Sequence, residues 1–92
     1  MRKMNKEYLL LIEKSVLKFL NKLPFKPYKQ VTMKLFSLQR NPFPQDYKQL
    51  KGFHKAYRVD QGEYRILYTV EEDKIRIFKI GKRNDDEVYK NL

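Results

Sequence analysis

The N-terminal apolar residues of this chain fit two different secondary structures. An apolar side chain recurs every three or four positions between residues 5 and 23, which predicts one long helix; these positions are Leu9, Ile12, Val16, Phe19, Leu20 and Leu23. The uninterrupted apolar run at residues 8–12 instead suits a short strand buried on both faces, followed by a helix that Ser15 would cap. Periodicity leaves both interpretations open.

A second helix is predicted between two proline-containing breakers. The segment PFKP at residues 24–27 ends the first helix, and Pro27 suits the first position of the next one, where its missing N–H is not needed. The apolar positions of this helix share one side: Tyr28, Val31, Leu35 and Leu38. Its polar positions face away: Lys29, Gln30 and Lys34. The segment NPFP at 41–44 ends it, and the two helical segments form a hairpin with a basic outer side.

From residue 54 onward the apolar period shortens to two, which is typical of strands. The alternation predicts strands at residues 56–59, 63–70 and 74–80, separated by turns at 60–62 and 71–73. An antiparallel meander that follows a helical hairpin predicts an α+β fold in which the helices cover one face of the sheet. Polar strand residues then point from the other face.

The charge of the chain points to a polyanionic partner. The sequence has 21 Lys and Arg against 11 Asp and Glu, a formal net charge of +10. The excess lies mostly in residues 1–50, with 11 basic and 3 acidic residues (+8), against 10 and 8 (+2) in residues 51–92. Nucleic acid and an acidic protein both fit this balance. A lysine-rich face that only keeps the protein in solution is the plainer alternative.

The composition excludes several kinds of site. No cysteine is present, so disulfides, thiolate metal sites and cysteine nucleophiles are absent, and the single histidine, His54, cannot build a histidine metal site alone. No apolar run is long enough for a signal peptide core or a membrane span. We therefore expect one cytoplasmic domain over residues 1–92, with no metal, no cofactor and no membrane partner.

Two arginines are predicted to face each other across the first strand turn. If residues 61–62 form a two-residue loop, Arg58 lies opposite Arg65 on one face of the sheet. Two arginines in that relation repel each other unless an anion lies between them. The diagonal carboxylates of Glu63 and Asp60 would neutralise the cluster in the plainer interpretation.

The end of the third strand adds further cations and an aromatic ring. Gly81 allows the strand to bend, Lys82 and Arg83 place two cations at its end, and a short terminal turn then carries Tyr89. The planar donors of arginine recognise phosphate, and an aromatic ring stacks on an unpaired base. The pattern predicts a site for single-stranded RNA. Packing of a terminal aromatic on the core is the plainer explanation of Tyr89.

Short segments in a fixed order also carry a family resemblance. They are LKG at 50–52, YRV at 57–59, EYRILY at 63–68, GKR at 81–83 and EVY at 87–89, preceded by residues 8–24, which end in Lys-Leu-Pro. In order and spacing they resemble the RelE family of toxins, the ribosome-dependent messenger-RNA endonucleases of toxin–antitoxin pairs. The resemblance implies a strand followed by a helix at the N-terminus, an antiparallel sheet of about four strands with the first strand beside the meander, and a short C-terminal helical turn.

The resemblance also implies roles for individual residues. Arg65 is similar to the arginine that stabilises the transition state, Arg83 to the one that assists the leaving 5′-oxygen, and Tyr89 to the tyrosine that orients the substrate. The 2′-hydroxyl of RNA would attack the adjacent phosphate without a metal, which gives a 2′,3′-cyclic phosphate and a 5′-hydroxyl. Further cations are expected to bind RNA: Lys51, Lys55, Arg58 and Lys82.

One position departs from the family pattern. Asp60 stands where the best-known members have a lysine proposed as the general base. Arginine stays protonated and is a poor base, so Asp60 and Glu63, which share the predicted face with the arginines, are the first candidates for proton abstraction. Lys55 and His54 are further candidates.

The resemblance implies partners as well: an acidic antitoxin protein, the ribosome with its messenger RNA, and operator DNA bound through the antitoxin. The antitoxin would either cover the arginines or displace the terminal turn that carries Tyr89. Two other functions remain open, a related toxin that poisons DNA gyrase and a catalytically weak or dead protein that acts as an antitoxin-binding corepressor.

Overall fold

The computed structural model describes residues 7–85, 87–89 and 92 of the chain. The elements follow in the order β1 (Leu9–Ile12), α1 (Lys14–Asn21), α2 (Phe25–Arg40), β2 (Lys48–Gln49), β3 (Ala56–Gln61), β4 (Tyr64–Glu71) and β5 (Lys74–Lys82), and end with two short 3₁₀ turns, Arg83–Asp85 and Glu87–Tyr89. We call Glu87–Tyr89 the terminal turn. Among these residues, neither helix has the length and apolar character needed to cross a bilayer.

The strands form one mixed sheet of five strands in the order β1-β5-β4-β3-β2. The α+β class is confirmed, and β1 lies beside the meander as expected. Two details differ from the predicted antiparallel sheet of about four strands. β1 runs parallel to β5, because the two helices return the chain to the end of the sheet at which β1 begins. In this pairing Leu9 lies opposite Lys74. The short strand β2 adds a fifth member at the other edge, where it pairs with β3.

Apolar side chains pack on both faces of the sheet. The larger cluster joins α1 and α2 to one face, and its buried members include Val16, Leu20, Val31, Leu35, Leu38, Val59, Ile66, Tyr68, Ile75 and Ile77. The smaller cluster lies on the opposite face and contains Leu50, Ala56, Leu67 and Val88, with Phe78 and Tyr89 packed against it. We call this opposite face the open face, because neither helix of the hairpin covers it.

The start of α2 lies earlier than predicted. The helix begins at Phe25, with Pro24 as its N-cap, so Pro27 occupies the third helical position rather than the first. Proline is tolerated there because the first four N–H groups of a helix have no partner within it. Val31, Leu35 and Leu38 form the buried stripe, whereas Tyr28 is 39% exposed and lies at its margin.

The β3–β4 hairpin corrects the predicted pairing of the arginines. β3 continues to Gln61, which pairs with Tyr64, so the two-residue loop lies one position later than predicted. Gly62 takes a φ of +61° in that loop, a left-handed conformation that favours glycine. As a result Asp60, and not Arg58, lies opposite Arg65. The predicted Arg58–Arg65 pair is therefore wrong.

Tyr68 makes a buried polar contact between β4 and the segment that follows α2. Its side chain is fully buried, and its hydroxyl donates a hydrogen bond of 2.7 Å to the carbonyl oxygen of Pro42. Burial also raises the pKa of Tyr68 well above its usual value. We expect Tyr68→Phe to lower the free energy of unfolding by about 1–3 kcal/mol, because the buried carbonyl loses its donor.

Urea unfolding followed by circular dichroism measures this loss. Tyr28→Phe is the matched control, since Tyr28 is partly exposed. An equal loss of stability in the two variants would contradict a stabilising role of the hydrogen bond from Tyr68 to Pro42.

Candidate functional site

An ion pair across strands β3 and β4 forms the centre of the open face. The Nε of Arg65 donates to Oδ1 of Asp60 at 2.8 Å, and Nη2 of Arg65 donates to Oδ2 at 3.2 Å. Two parallel bonds of this kind fix the plane of the guanidinium as well as its position. The third nitrogen, Nη1, donates to the hydroxyl of Tyr89 at 3.0 Å. Within the part of the chain that the structure describes, Arg65 thus uses three of its five N–H donors, which leaves two for a ligand.

Tyr89 is held in place by its neighbour in the terminal turn. Val88 is fully buried against Leu50, Ala56 and Leu67. Gly81 makes this packing possible, because a Cβ atom at that position would lie 3.1 Å from the N, Cα and Cβ atoms of Val88. The glycine predicted to let the strand bend therefore also makes room for the terminal turn.

Arg83 lies along the β3–β4 loop at the edge of the ion pair. Its backbone N–H donates to the carbonyl of Glu63 at 3.0 Å, and its Nη1 donates to the carbonyl of Gly62 at 3.2 Å. The same Nη1 is 3.7 Å from Oδ2 of Asp60. The side chain of Glu63 is exposed in the loop, so Asp60 is the carboxylate that contacts Arg65.

The ion pair keeps both partners charged. The hydrogen bonds from Arg65 lower the pKa of Asp60, partial burial opposes this, and the positive charges of Arg65, Arg83 and Arg58 lower it further. The bond to Asp60 likewise raises the pKa of Arg65. A carboxylate with a lowered pKa is a weak base, and Asp60 would have to release Arg65 before it could accept a proton through the same oxygens.

The four cations predicted to bind RNA lie in three different places. Lys51 and Arg58 line one groove of about 520 Å³ together with Tyr89. Lys55 precedes β3, and its carbonyl accepts from the N–H of Val70, so it lies at the opposite end of that strand from Asp60. That separation of five residues is about 17 Å.

Lys82 lies on the other side of the sheet. It pairs with Tyr64, a member of the helix-side cluster. The structure therefore brings Lys51 and Arg58 to the candidate site, but not Lys55 or Lys82.

Strand β2 and the loop that follows it contribute residues that the sequence analysis did not identify. Lys48 lies opposite Arg58 and adds a cation to the open face. Gln49 and Phe53 line the same groove as Arg58. A strand of two residues has no detectable period, so only the position of this segment between the NPFP breaker and the LKG motif could have drawn attention to it. Among residues 7–85, 87–89 and 92, no group of three or more histidine and carboxylate side chains could hold a metal ion.

The lowered pKa of Asp60 gives a pH-dependent contribution to stability. A carboxyl whose pKa is lowered by folding stabilises the fold above its unfolded value, close to 3.8, and this contribution is lost as the pH falls through the lower folded value. We expect Asp60→Asn to reduce the free energy of unfolding at pH 7. The difference from the wild type should shrink below about pH 3.8. Urea unfolding between pH 7 and pH 2 measures the difference, with Asp73→Asn in an exposed turn as control. A difference that stays constant over this range would contradict the ion pair.

Comparison with known proteins gives one closely similar sequence. The chain is 40% identical over 85 residues to a protein of Methanocaldococcus jannaschii named as a toxin, RelE1; the match covers 87% of this chain and 92% of that protein. No protein-family model matches the chain.

Solved structures of the same shape come from archaea and bacteria. The RelE–RelB complex of Pyrococcus horikoshii contains a chain with a TM-score of 0.74 and 31% identity, covering 87% of this chain and 97% of that one. The isolated RelE toxin of Escherichia coli has a TM-score of 0.72 and 27% identity, covering 89% and 90%. The arrangement of helices and sheet described above is thus found in toxins crystallised both alone and with an antitoxin.

Proposed function

Because the chain belongs to the RelE family of toxins, we propose that it is the toxin of a type II toxin–antitoxin pair and that it cuts messenger RNA on the ribosome. The observation that supports this proposal is the cluster of Arg65, Asp60 and Tyr89, with Arg58 and Arg83 beside it. A guanidinium that is fixed on two sides and has free donors beside an aromatic ring suits the binding of an RNA phosphate while the neighbouring 2′-hydroxyl attacks it.

The proposed reaction uses the nucleophile that RNA carries. The 2′-hydroxyl attacks the adjacent phosphorus, the bond to the 5′-oxygen breaks, and the products are a 2′,3′-cyclic phosphate and a 5′-hydroxyl. The two free donors of Arg65 would stabilise the negative charge of the phosphorane, and electrostatic stabilisation of this kind commonly contributes more to catalysis than any other effect. Arg83 would stabilise the negative charge of the leaving 5′-oxygen, which takes a proton from water to become the 5′-hydroxyl. Arg58 and Lys51 would hold the flanking phosphate, and no metal ion would take part.

Removal of the proton from the 2′-hydroxyl is the step for which the cluster offers no strong base. Asp60 is close to Arg65, but its lowered pKa makes it a poor acceptor, so we propose that it chiefly positions Arg65. The exposed carboxylate of Glu63 is the other candidate. We infer that the ribosome aligns the 2′-hydroxyl with the phosphorus, since alignment alone lowers a barrier substantially. Free RNA should therefore be cut slowly.

We propose that the inhibitor is an acidic antitoxin of the RelB kind, the partner named in the Pyrococcus horikoshii complex. The net charge of +10 favours an acidic chain. The outer side of α2 exposes Phe25, Met33 and Phe36 next to Lys26 and Lys29, which suits the apolar face of an acidic amphipathic segment. Operator DNA would be bound through the antitoxin, and the site of action would be the cytoplasm.

The ion pair between Asp60 and Arg65 favours a second candidate function. A family member that lacks an effective base could act only as an antitoxin-binding corepressor. Such a protein would bind the antitoxin and operator DNA but leave messenger RNA intact.

A translation extract programmed with a defined messenger tests the proposal. We expect cleavage within the ribosome-bound codon, with 2′,3′-cyclic phosphate and 5′-hydroxyl ends identified by end-specific ligation. A 2′-deoxy substitution at the scissile nucleotide should abolish that cut, because the nucleophile is removed. A phosphorothioate at the scissile phosphate tests whether a metal ion takes part. Any reduction that it causes in the cleavage rate should be the same with and without Mn²⁺ or Cd²⁺.

Three results would contradict parts of the proposal. Intact messenger in the presence of the folded protein would favour the corepressor. Rescue of the phosphorothioate by a thiophilic metal would exclude the metal-independent mechanism. Equally fast cutting of naked RNA would exclude dependence on the ribosome.

A further inference from the structure

Two grooves on the open face meet at one exposed aromatic ring. The first groove is the one lined by Lys51, Arg58 and Tyr89. The second has a similar volume of about 520 Å³ and lies along β4 and β5. Phe53 lines both grooves, and 41% of its surface is exposed. An apolar ring that is left exposed where two grooves join suggests a contact with a ligand that extends through both.

The two grooves have the same kind of lining. The first has two rings and two cations: Phe53, Tyr89, Lys51 and Arg58. The second also has two rings and two cations: Phe53, Phe78, Arg76 and Lys79. Among the described residues that line the second groove, Glu13 is the one acidic group, so the cations still exceed the acidic groups there. Aromatic rings interleaved with cations are typical of surfaces that bind single-stranded nucleic acid.

An irregularity in the sheet adds a cation to the lining of the second groove. The pairing of β4 with β5 shifts between Leu67 and Tyr68, which pair with Lys79 and Ile77, so that Phe78 falls between two paired positions. Such a bulge redirects side chains. Here Phe78 packs against the open-face cluster, and both Phe78 and Lys79 line the second groove. Alternation along β5 already places Arg76 and Phe78 on the open face, and the bulge adds Lys79 to that face.

We propose that the RNA site continues from Tyr89 across Phe53 into the second groove, so that two neighbouring nucleotides of a single strand occupy the two grooves and stack against Phe53. This inference rests on the proposed function for the identity of the ligand as RNA. Phe53 and Arg76 then hold the strand and take no part in the reaction at the phosphate. Stacking is tolerant of sequence and contributes about 5- to 150-fold in affinity per base.

Fluorescence of 2-aminopurine tests the inference without any cleavage. The probe is a single-stranded hexanucleotide whose 2′-hydroxyls are all methylated, so that it cannot be cut, with 2-aminopurine at each position in turn. Stacking on a ring quenches this base. We expect the full-length protein to quench two adjacent positions. Phe53→Ala should lower the affinity about 5- to 150-fold and remove the quenching at one or both positions, and Phe53→Tyr should restore it. Arg76→Gln should weaken binding of the six-nucleotide probe but not of a probe shortened to the first groove.

Matched controls lie on α2, on the other side of the sheet. Tyr28→Ala removes a ring that is 39% exposed, and Arg40→Gln removes an exposed arginine; both variants should bind the hexanucleotide with the affinity of the wild type. Affinity and quenching that are unchanged in Phe53→Ala would overturn the inference, as would absence of RNA binding by the wild type. An effect of Phe53→Ala without any effect of Arg76→Gln would confine the site to the first groove and would overturn the extended site.

The same variants distinguish this inference from the proposed function. Binding that depends on Phe53, without cleavage of messenger on the ribosome, would remove the nuclease but keep the extended RNA site. Cleavage by the wild type, with binding that does not depend on Phe53, would keep the nuclease and remove the extended site.

Discussion

Arg65→Ala is expected to reduce the rate of messenger cleavage on the ribosome by on the order of 10²–10³. Arg65 is the cation whose orientation is fixed on two sides, by Asp60 and by Tyr89. Its removal takes away the proposed stabilisation of the phosphorane and leaves the carboxylate of Asp60 unpaired near the phosphate. Single-turnover cleavage by programmed ribosomes measures the rate, and growth inhibition in cells gives an independent result.

Two further variants separate the causes of this loss. Arg65→Lys keeps the charge but lacks the fork of donors, so it should recover only a small part of the rate. The double variant Arg65→Ala/Asp60→Asn removes the unpaired carboxylate and should exceed Arg65→Ala in rate if repulsion contributes. Arg40→Ala, on the opposite side of the molecule, is the control. Full toxicity of a folded Arg65→Ala/Arg83→Ala protein would exclude RNA cleavage at this site.

Gly81→Val is expected to lower the cleavage rate by on the order of 100-fold while the sheet remains folded. Even a single Cβ atom at position 81 would lie 3.1 Å from backbone and side-chain atoms of Val88, and valine adds two methyl groups. The terminal turn must then move and take Tyr89 away from Arg65. A displacement of about 1 Å at a reacting centre costs roughly this much in rate.

Cleavage assays combined with circular dichroism test this displacement. Lys74→Val puts the same side chain at the exposed start of β5 and should leave the rate unchanged. The cleavage rate of Gly81→Ala should lie between the rates of the wild type and of Gly81→Val. A folded Gly81→Val protein with full activity would show that Tyr89 need not contact Arg65.

The sequence indicated which residues share the open face more reliably than it indicated which residues pair. Arg58, Asp60 and Arg65 were expected on one face, and the observed register places them there. When a two-residue loop moves by one position, each residue pairs with a partner two positions further along the other strand. Because side chains alternate with a period of two, every residue stays on its original face although its partner changes. The predicted contact between two arginines thus became an ion pair between Asp60 and Arg65. Either loop position is compatible with a glycine at 62, so the alternation alone could not decide between them.

The contacts of the terminal turn were beyond what the sequence could indicate. The terminal turn is anchored by Val88, which is fully buried. One valine among polar residues has no period, and the space that it occupies is created by the missing side chain of Gly81. The grooves around Phe53 were missed for a similar reason, because their walls include residues of β2, β3, β4, β5 and the terminal turn, and no local pattern joins them.

The order of the strands has a consequence for synthesis of the protein. Within the described sheet, β1 pairs only with β5, which is the last strand in chain order and also pairs with β4. A nascent chain therefore cannot close its sheet until β5 has left the exit tunnel, and Arg65 has no Tyr89 to contact until the terminal turn follows. Long-range pairing of this kind is completed late. The ribosome that makes the protein thus holds a chain whose candidate site is incomplete for most of the elongation time, and an inhibitory partner that is already present would meet the new chain as soon as that site forms.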